Sequence, residues 1–132
     1  MTRLYLISVL CLITNFCFGQ TQLEMNEKAA KEYQKTDKEL NTVYQKVLKE
    51  YSADTAFVKN LKIAQRIWIQ FRDAEMLAKY PNREDGYYGS MQPICWFAYK
   101  TELTLDRIKK LKVWLAGTED GDGCSGSVKI KN

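Results

Sequence analysis

Apolar residues recur along this chain with a helical period, and they mark three segments. In the first, Asn26, Tyr33, Leu40 and Val47 fall at intervals of seven. Ala30, Asp37, Tyr44 and Tyr51 form a second series beside them. Lys and Glu hold most of the positions between, so the pattern predicts one amphipathic helix over about 22–51. Thr21 with Glu24 three residues on reads as the capping box that opens it. Ser52 to Asp54 punctuates, with Asp54 as the expected N-cap of a second helix over about 55–79. Its stripe reads Phe57, Ala64, Phe71 and Ala78, with Leu61 and Trp68 between and Ile67 and Ala74 widening it. A third helix over about 90–116 is capped by Ser90 and carries Pro93 in its first turn. Ile94, Thr101, Ile108 and Leu115 recur there, with Phe97, Leu105 and Leu111 beside them, and Gly117 ends it.

Three long helices with short connections predict an all-α fold, an antiparallel bundle over residues 20–117. No strand pattern or repeat competes with it. Thr118 to Asn132 is rich in Gly, Ser and Asp and reads as an extended or disordered tail.

The chain begins differently. One positive charge at Arg3 precedes an apolar run from Leu4 to Cys17, then Phe18-Gly19-Gln20. That order is expected of a secretory signal peptide over residues 1–19, cut after Gly19. Acylation of Cys17 is the alternative, opposed by bulky Phe16 before it; retention as an anchor is another. The run falls short of the roughly 20 residues a spanning helix needs, so no transmembrane segment is expected in the mature chain. Of four cysteines, the cut leaves Cys95 and Cys124. In a periplasmic or extracellular compartment a Cys95–Cys124 disulfide is the simplest pairing, against two free thiols or a bridge between chains.

Composition then narrows the chemistry. There is no histidine in the 132 residues, which removes the commonest general base and metal ligand. No Ser-His-Asp site, phosphate loop or metal cluster can be read, so no enzyme, cofactor or metal is expected. Asp120-Gly121-Asp122-Gly123 resembles a calcium loop, but no glutamate closes it. The charge is +4, falling to +3 without Arg3, with acids interleaved among the lysines; no nucleic-acid surface follows from that.

Two groups of polar residues stand out. Asp37 breaks the first helix's seam, Arg72 and Asp73 edge the second stripe, and Thr104 and Arg107 lie on the third. A carboxylate at a seam needs a donor, so a network pairing Asp37 with Arg72, aided by Thr104 or Arg107, is expected. Its ordinary role is to fix helix register; ligand binding, or a catalytic role for Asp37, Arg72 and Asp73, is the alternative. In the inter-helix loop, Glu84 and Asp85 stand beside Tyr87 and Tyr88 between Gly86 and Gly89. Such a loop suits contact with a partner, or its tyrosines simply fold over the bundle end.

Several short motifs occur together and in order. Thr21-Gln22, Glu24-Met25-Asn26, Tyr33, Asp37, Leu40-Asn41 and Tyr44 form an opening motif. Ala64-Gln65-Arg66, Trp68-Ile69 and Phe71-Arg72-Asp73-Ala74-Glu75 form a central one. Gly89-Ser90-Met91, Leu103-Thr104, Arg107-Ile108 and Leu111 close the series. The set resembles the LprI lysozyme inhibitor family over roughly Thr21 to Leu115. Lys28 and Met76 stand where that family usually carries cysteines, so one disulfide of the family is missing here. The resemblance implies an exported, helical, non-enzymatic protein whose partner is lysozyme. The alternative is a structural or assembly module of the cell envelope that binds another protein. Common lysozymes are strongly basic, so a chain of +3 gains no long-range steering toward them; a local acidic patch such as Glu84-Asp85 would have to dock.

Overall fold

The computed structural model describes the backbone of residues 2–131 and the side chains of residues 21–131. The side chains of the expected leader, Cys11 and Cys17 among them, lie outside the described residues. Three helices follow one another: α1 Thr2–Glu50, α2 Thr55–Lys79 and α3 Gln92–Ala116. No strand is present among the described residues, only one isolated bridge between Thr118 and Ile130.

The helices run up, down and up. Asp37 meets Arg72 and Tyr51 meets Phe57, so α1 and α2 are antiparallel. Glu75 meets Tyr99 and Gln65 meets Arg107, so α2 and α3 are antiparallel too. The first and third helices therefore run in the same direction, and their backbones approach most closely. The core lies between them: Leu40, Val43, Val47 and Tyr51 from the α1 side, Ile108 and Leu111 from α3, and Leu61 from α2. Fully burying each such aliphatic side chain contributes about 1.5–3 kcal/mol. α2 stands further off, and long side chains span the gap.

Local chemistry explains most boundaries. Asp54 caps α2 as expected, its carboxylate accepting from the Phe57 N–H at 2.9 Å. The capping box at Thr21 and Glu24 is not a helix start, because α1 is already under way there. No proline precedes Pro81, and the leucine-rich run from Leu4 sustains the helix into the next segment. Ser90 is not the cap of α3 either. Met91 holds that position without a side-chain bond, Pro93 lies in the first turn, and the Ser90 carbonyl instead accepts from Gln22 Nε2 at 3.1 Å.

The stripe expected on α2 holds in part: Leu61 is buried and Phe57 and Trp68 pack against the core, but the rest of it faces outward. Leu61, Gln65, Arg72 and Met76 face inward, while Ile67, Phe71, Ala64, Ala74 and Ala78 are exposed. In α3, Leu105 and Leu115 are exposed as well, and Thr104 takes a fully buried place.

The tail has no helix or strand, as expected, but it folds back onto the end of the bundle through specific hydrogen bonds. Thr118 N–H donates to the Lys129 carbonyl at 2.9 Å, and Lys131 N–H donates to the Thr118 carbonyl at 2.8 Å. The hydroxyl of Tyr51 accepts from the Lys129 N–H at 3.0 Å and donates to the Trp114 carbonyl at 2.9 Å. Lys129 Nζ reaches the Glu50 carbonyl at 2.7 Å, and Trp114 Nε1 donates to Ser127 Oγ at 3.0 Å. Gly117 makes the fold-back possible: its φ is +72°, and a Cβ there would lie 2.9 Å from the Lys129 carbonyl oxygen.

The same geometry overturns the Cys95–Cys124 disulfide. Both thiols are free and exposed. Cys95 sits in the first turn of α3, whereas the tail packs against Trp114 near its last turn. At 1.5 Å per residue, 19 residues of helix put about 28 Å between those levels, against the 4.4–6.8 Å a disulfide tolerates between Cα atoms.

Candidate functional site

Polar residues converge where α2 stands off from the other two helices. Arg72 is nearly buried, its side chain 10% exposed, and three groups receive it. Its Nε donates to Asp73 Oδ1 at 3.0 Å, and Nη2 pairs with the same oxygen at 3.0 Å. Nη1 lies 3.5 Å from Asp37 Oδ1, and the guanidinium rests over the Trp68 ring at 5.2 Å. Asp37 in turn accepts from Tyr33 OH and Asn41 Nδ2, each at 3.4 Å. Its side chain is 38% exposed, so it lies at the seam's edge and not within it. The expected pairing of Asp37 with Arg72 is therefore present, with Asp73 as the closer partner.

Thr104 and Arg107 do not join this group. Thr104 turns its hydroxyl back to the Lys100 carbonyl at 2.8 Å, which satisfies it inside α3. Arg107 Nε donates to Gln65 Oε1 at 2.9 Å, and its guanidinium lies 5.9 Å from the Trp68 ring on which Arg72 also rests. Its buried Nη2 has no partner among the described residues, and burial lowers its pKa from the ordinary guanidinium value. Both cations thus lie near one indole, which offers each a cation–π contact.

Above this group, Lys100 Nζ lies 4.8 Å from the Tyr33 ring and 4.8 Å from the Trp96 ring. Burial lowers its pKa below the usual lysine value, and the nearby Arg72 charge acts in the same direction. Burial likewise raises the phenols of Tyr33 and Tyr44 above their ordinary values, with arginine charges opposing. These groups form a packed bridge between helices. Among the described residues no group of three or more His, Cys, Asp or Glu could hold a metal ion.

The loop lies at the end of the bundle. Glu84, Asp85 and Tyr87 are exposed. Tyr88 is half-buried and donates to the Pro81 carbonyl at 2.7 Å, with Tyr80 and Tyr87 meeting its ring edge-on. Arg83 lies over Tyr87 at 5.7 Å and offsets part of the loop's negative charge.

A second surface was not legible in the sequence. Between α1 and α3 runs a groove of about 460 Å³ with Ile94, Ala98 and Leu105 along it. Glu32, Glu102 and Asp106 also line it, and no basic residue does. Its residues come from two helices whose relative rotation no single periodicity encodes.

Comparison with known proteins matches residues 18–111 to the family model described as Lysozyme inhibitor LprI. An uncharacterized protein of Rhizobium meliloti (strain 1021), R02472, is 32% identical over 112 residues, covering 76% of this chain and 78% of that protein. No solved structure matches. The match spans the three helices, the Arg72 group and the acidic groove together, and the chain belongs to the LprI lysozyme inhibitor family.

Proposed function

We propose that this chain is an exported, non-enzymatic binding protein that blocks lysozyme at the cell envelope. Residues 1–19 serve as the leader, cut after Gly19, and the partner is a basic protein. The observation that carries this reading, beyond family membership, is the acidic groove between α1 and α3. Glu32, Glu102 and Asp106 supply negative charge around an apolar floor, which suits a cationic enzyme presenting a Lys or Arg side chain with an aliphatic stem. Local charge of this kind compensates for a net charge that steers nothing toward a basic partner. Glu84, Asp85, Tyr87 and Tyr88 form a second contact at the end of the bundle where α3 begins.

The test is lysis of a bacterial suspension by several lysozyme types, with and without the purified exported chain. Lysis should slow, and the double variant Glu102→Lys with Asp106→Lys should need at least tenfold more protein for the same effect. Glu84→Lys with Asp85→Lys should weaken it less. No slowing by the unaltered chain at large molar excess, across all types, removes the inhibitor reading.

A further inference from the structure

The outward side of α2 is mostly apolar, interrupted by Gln70 and Asn60, and among the described residues nothing covers it. Ile63, Ile67, Phe71 and Leu77 are 44%, 57%, 55% and 59% exposed. At 3.6 residues per turn they fall within a sector of roughly 120°, and its centre lies about 170° from the inward line through Leu61, Gln65, Arg72 and Met76. Ala74, in the middle of the sector, is exposed too. A helix of this kind is apolar on the side where packing does not require it, and carries Gln65 and Arg72 on the side where packing does.

Charge around the sector is one-sided. Lys59, Lys62 and Arg66 are exposed along one flank, which Asp73 shares. The acids of α2 are Asp73 and Glu75, and both are engaged. Asp73 is held by Arg72 at 3.0 Å, and Glu75 accepts from Tyr99 OH at 2.9 Å. The surface is also convex, a single helix without walls. A second copy laid antiparallel on this face about Ile67 would set the two Arg66 side chains against each other. A flat occupant with an apolar layer beside a plane of negative charge meets all three features: apolar side chains enter the acyl boundary, and the basic flank reaches the phosphates.

We propose that α2 is a membrane-surface helix, seating Ile63, Ile67, Phe71 and Leu77 into the headgroup region of an anionic bilayer with Lys59, Lys62 and Arg66 on its phosphates. The protein lies on the bilayer and does not cross it; no helix among the described residues is long and apolar enough to do so. This inference does not depend on lysozyme binding, which uses a different face.

The experiment is co-flotation of the exported chain with vesicles of phosphatidylcholine alone or mixed equally with phosphatidylglycerol. The unaltered chain should float with the anionic vesicles and bind the neutral ones at least tenfold more weakly. Ile67→Asp with Phe71→Asp should lower anionic binding at least tenfold, and so should Lys62→Glu with Arg66→Glu, since each basic residue near such a surface accounts for roughly a fivefold change. Both positions are exposed, so circular dichroism should show an intact fold in each variant. Absence of binding to anionic vesicles overturns the proposal. Binding that ignores Ile67→Asp and Phe71→Asp overturns it as well, by placing the attraction elsewhere. A dimer in sedimentation that Ile67→Asp dissolves, with no vesicle binding, would assign the face to a second copy instead.

Discussion

Arg72 is a guanidinium with three partners of different worth. The bonds to Asp73 are short, but Asp73 is 54% exposed, and water competes for it. Asp37 is further away and also partly wetted, so its pairing resembles a surface ion pair, which contributes about 0–1 kcal/mol. The Trp68 face and the packed stem of the arginine hold more. Asp37→Asn should therefore cost no more than about 1 kcal/mol, while Arg72→Ala should cost about 2–3 kcal/mol in chemical denaturation. Equal losses in the two variants would show that Asp37 alone supports the arginine. The pairing of Asp37 with Arg72 was legible in the sequence because a carboxylate on a helix seam demands a donor. The placing of Thr104 and Arg107 was not. Thr104 satisfies itself within its own helix, and Arg107 found Gln65, a residue with no charge to advertise the match.

At the scale of elements, the second and third helices and the end of the first were legible to within a few residues, while the start of α1 and the face of α2 were not. Apolar residues lie on both sides of that helix, so periodicity cannot choose between them. Distance decides: beyond its first turns, where Phe57 and Leu61 reach the core, α2 stands off from α1 and α3, and long side chains such as Arg72, Gln65 and Trp68 bridge the space. The tail escaped notice for a related reason. Its order rests on single hydrogen bonds from residues far apart in sequence, and these leave no periodic trace. Tyr51 makes two of them. Tyr51→Phe should release the tail, costing about 1–2 kcal/mol and speeding amide exchange at Lys129. Exchange there as slow as in the unaltered protein would place the tail's anchor elsewhere, at Lys129 Nζ on Glu50 or Ser127 on Trp114.

Over the whole molecule, buried titratable groups make stability depend on alkaline pH in two directions. Lys100 titrates lower in the folded chain than the unfolded value of about 10.4, because burial disfavours its charge. In the window between its folded value and about 10.4 the unfolded chain binds more protons, so stability rises with pH. Tyr33 and Tyr44 titrate above their ordinary values in the folded chain, again through burial. Their contribution is complete below about pH 10 and is lost as pH climbs through their raised values. Thermal unfolding followed from pH 8 to 11 should show Tm holding or rising toward pH 10 and falling beyond it. Lys100→Met should remove the rise, and Tyr33→Phe with Tyr44→Phe should soften the fall. A Tm that declines steadily from pH 8 in the unaltered chain would contradict this assignment.

The pairing of α1 with α3 also sets when the protein can fold. Leu40, Val43 and Val47 find Ile108 and Leu111 only across the full length of the middle helix. A chain holding only α1 and α2 offers Leu61 and Phe57 to the first helix's apolar side but lacks its main partners, and the clasp at Lys129 lies further along still. The core thus closes only once α3 is in place, and a chain cut between α2 and α3 would leave Leu40, Val43 and Val47 exposed.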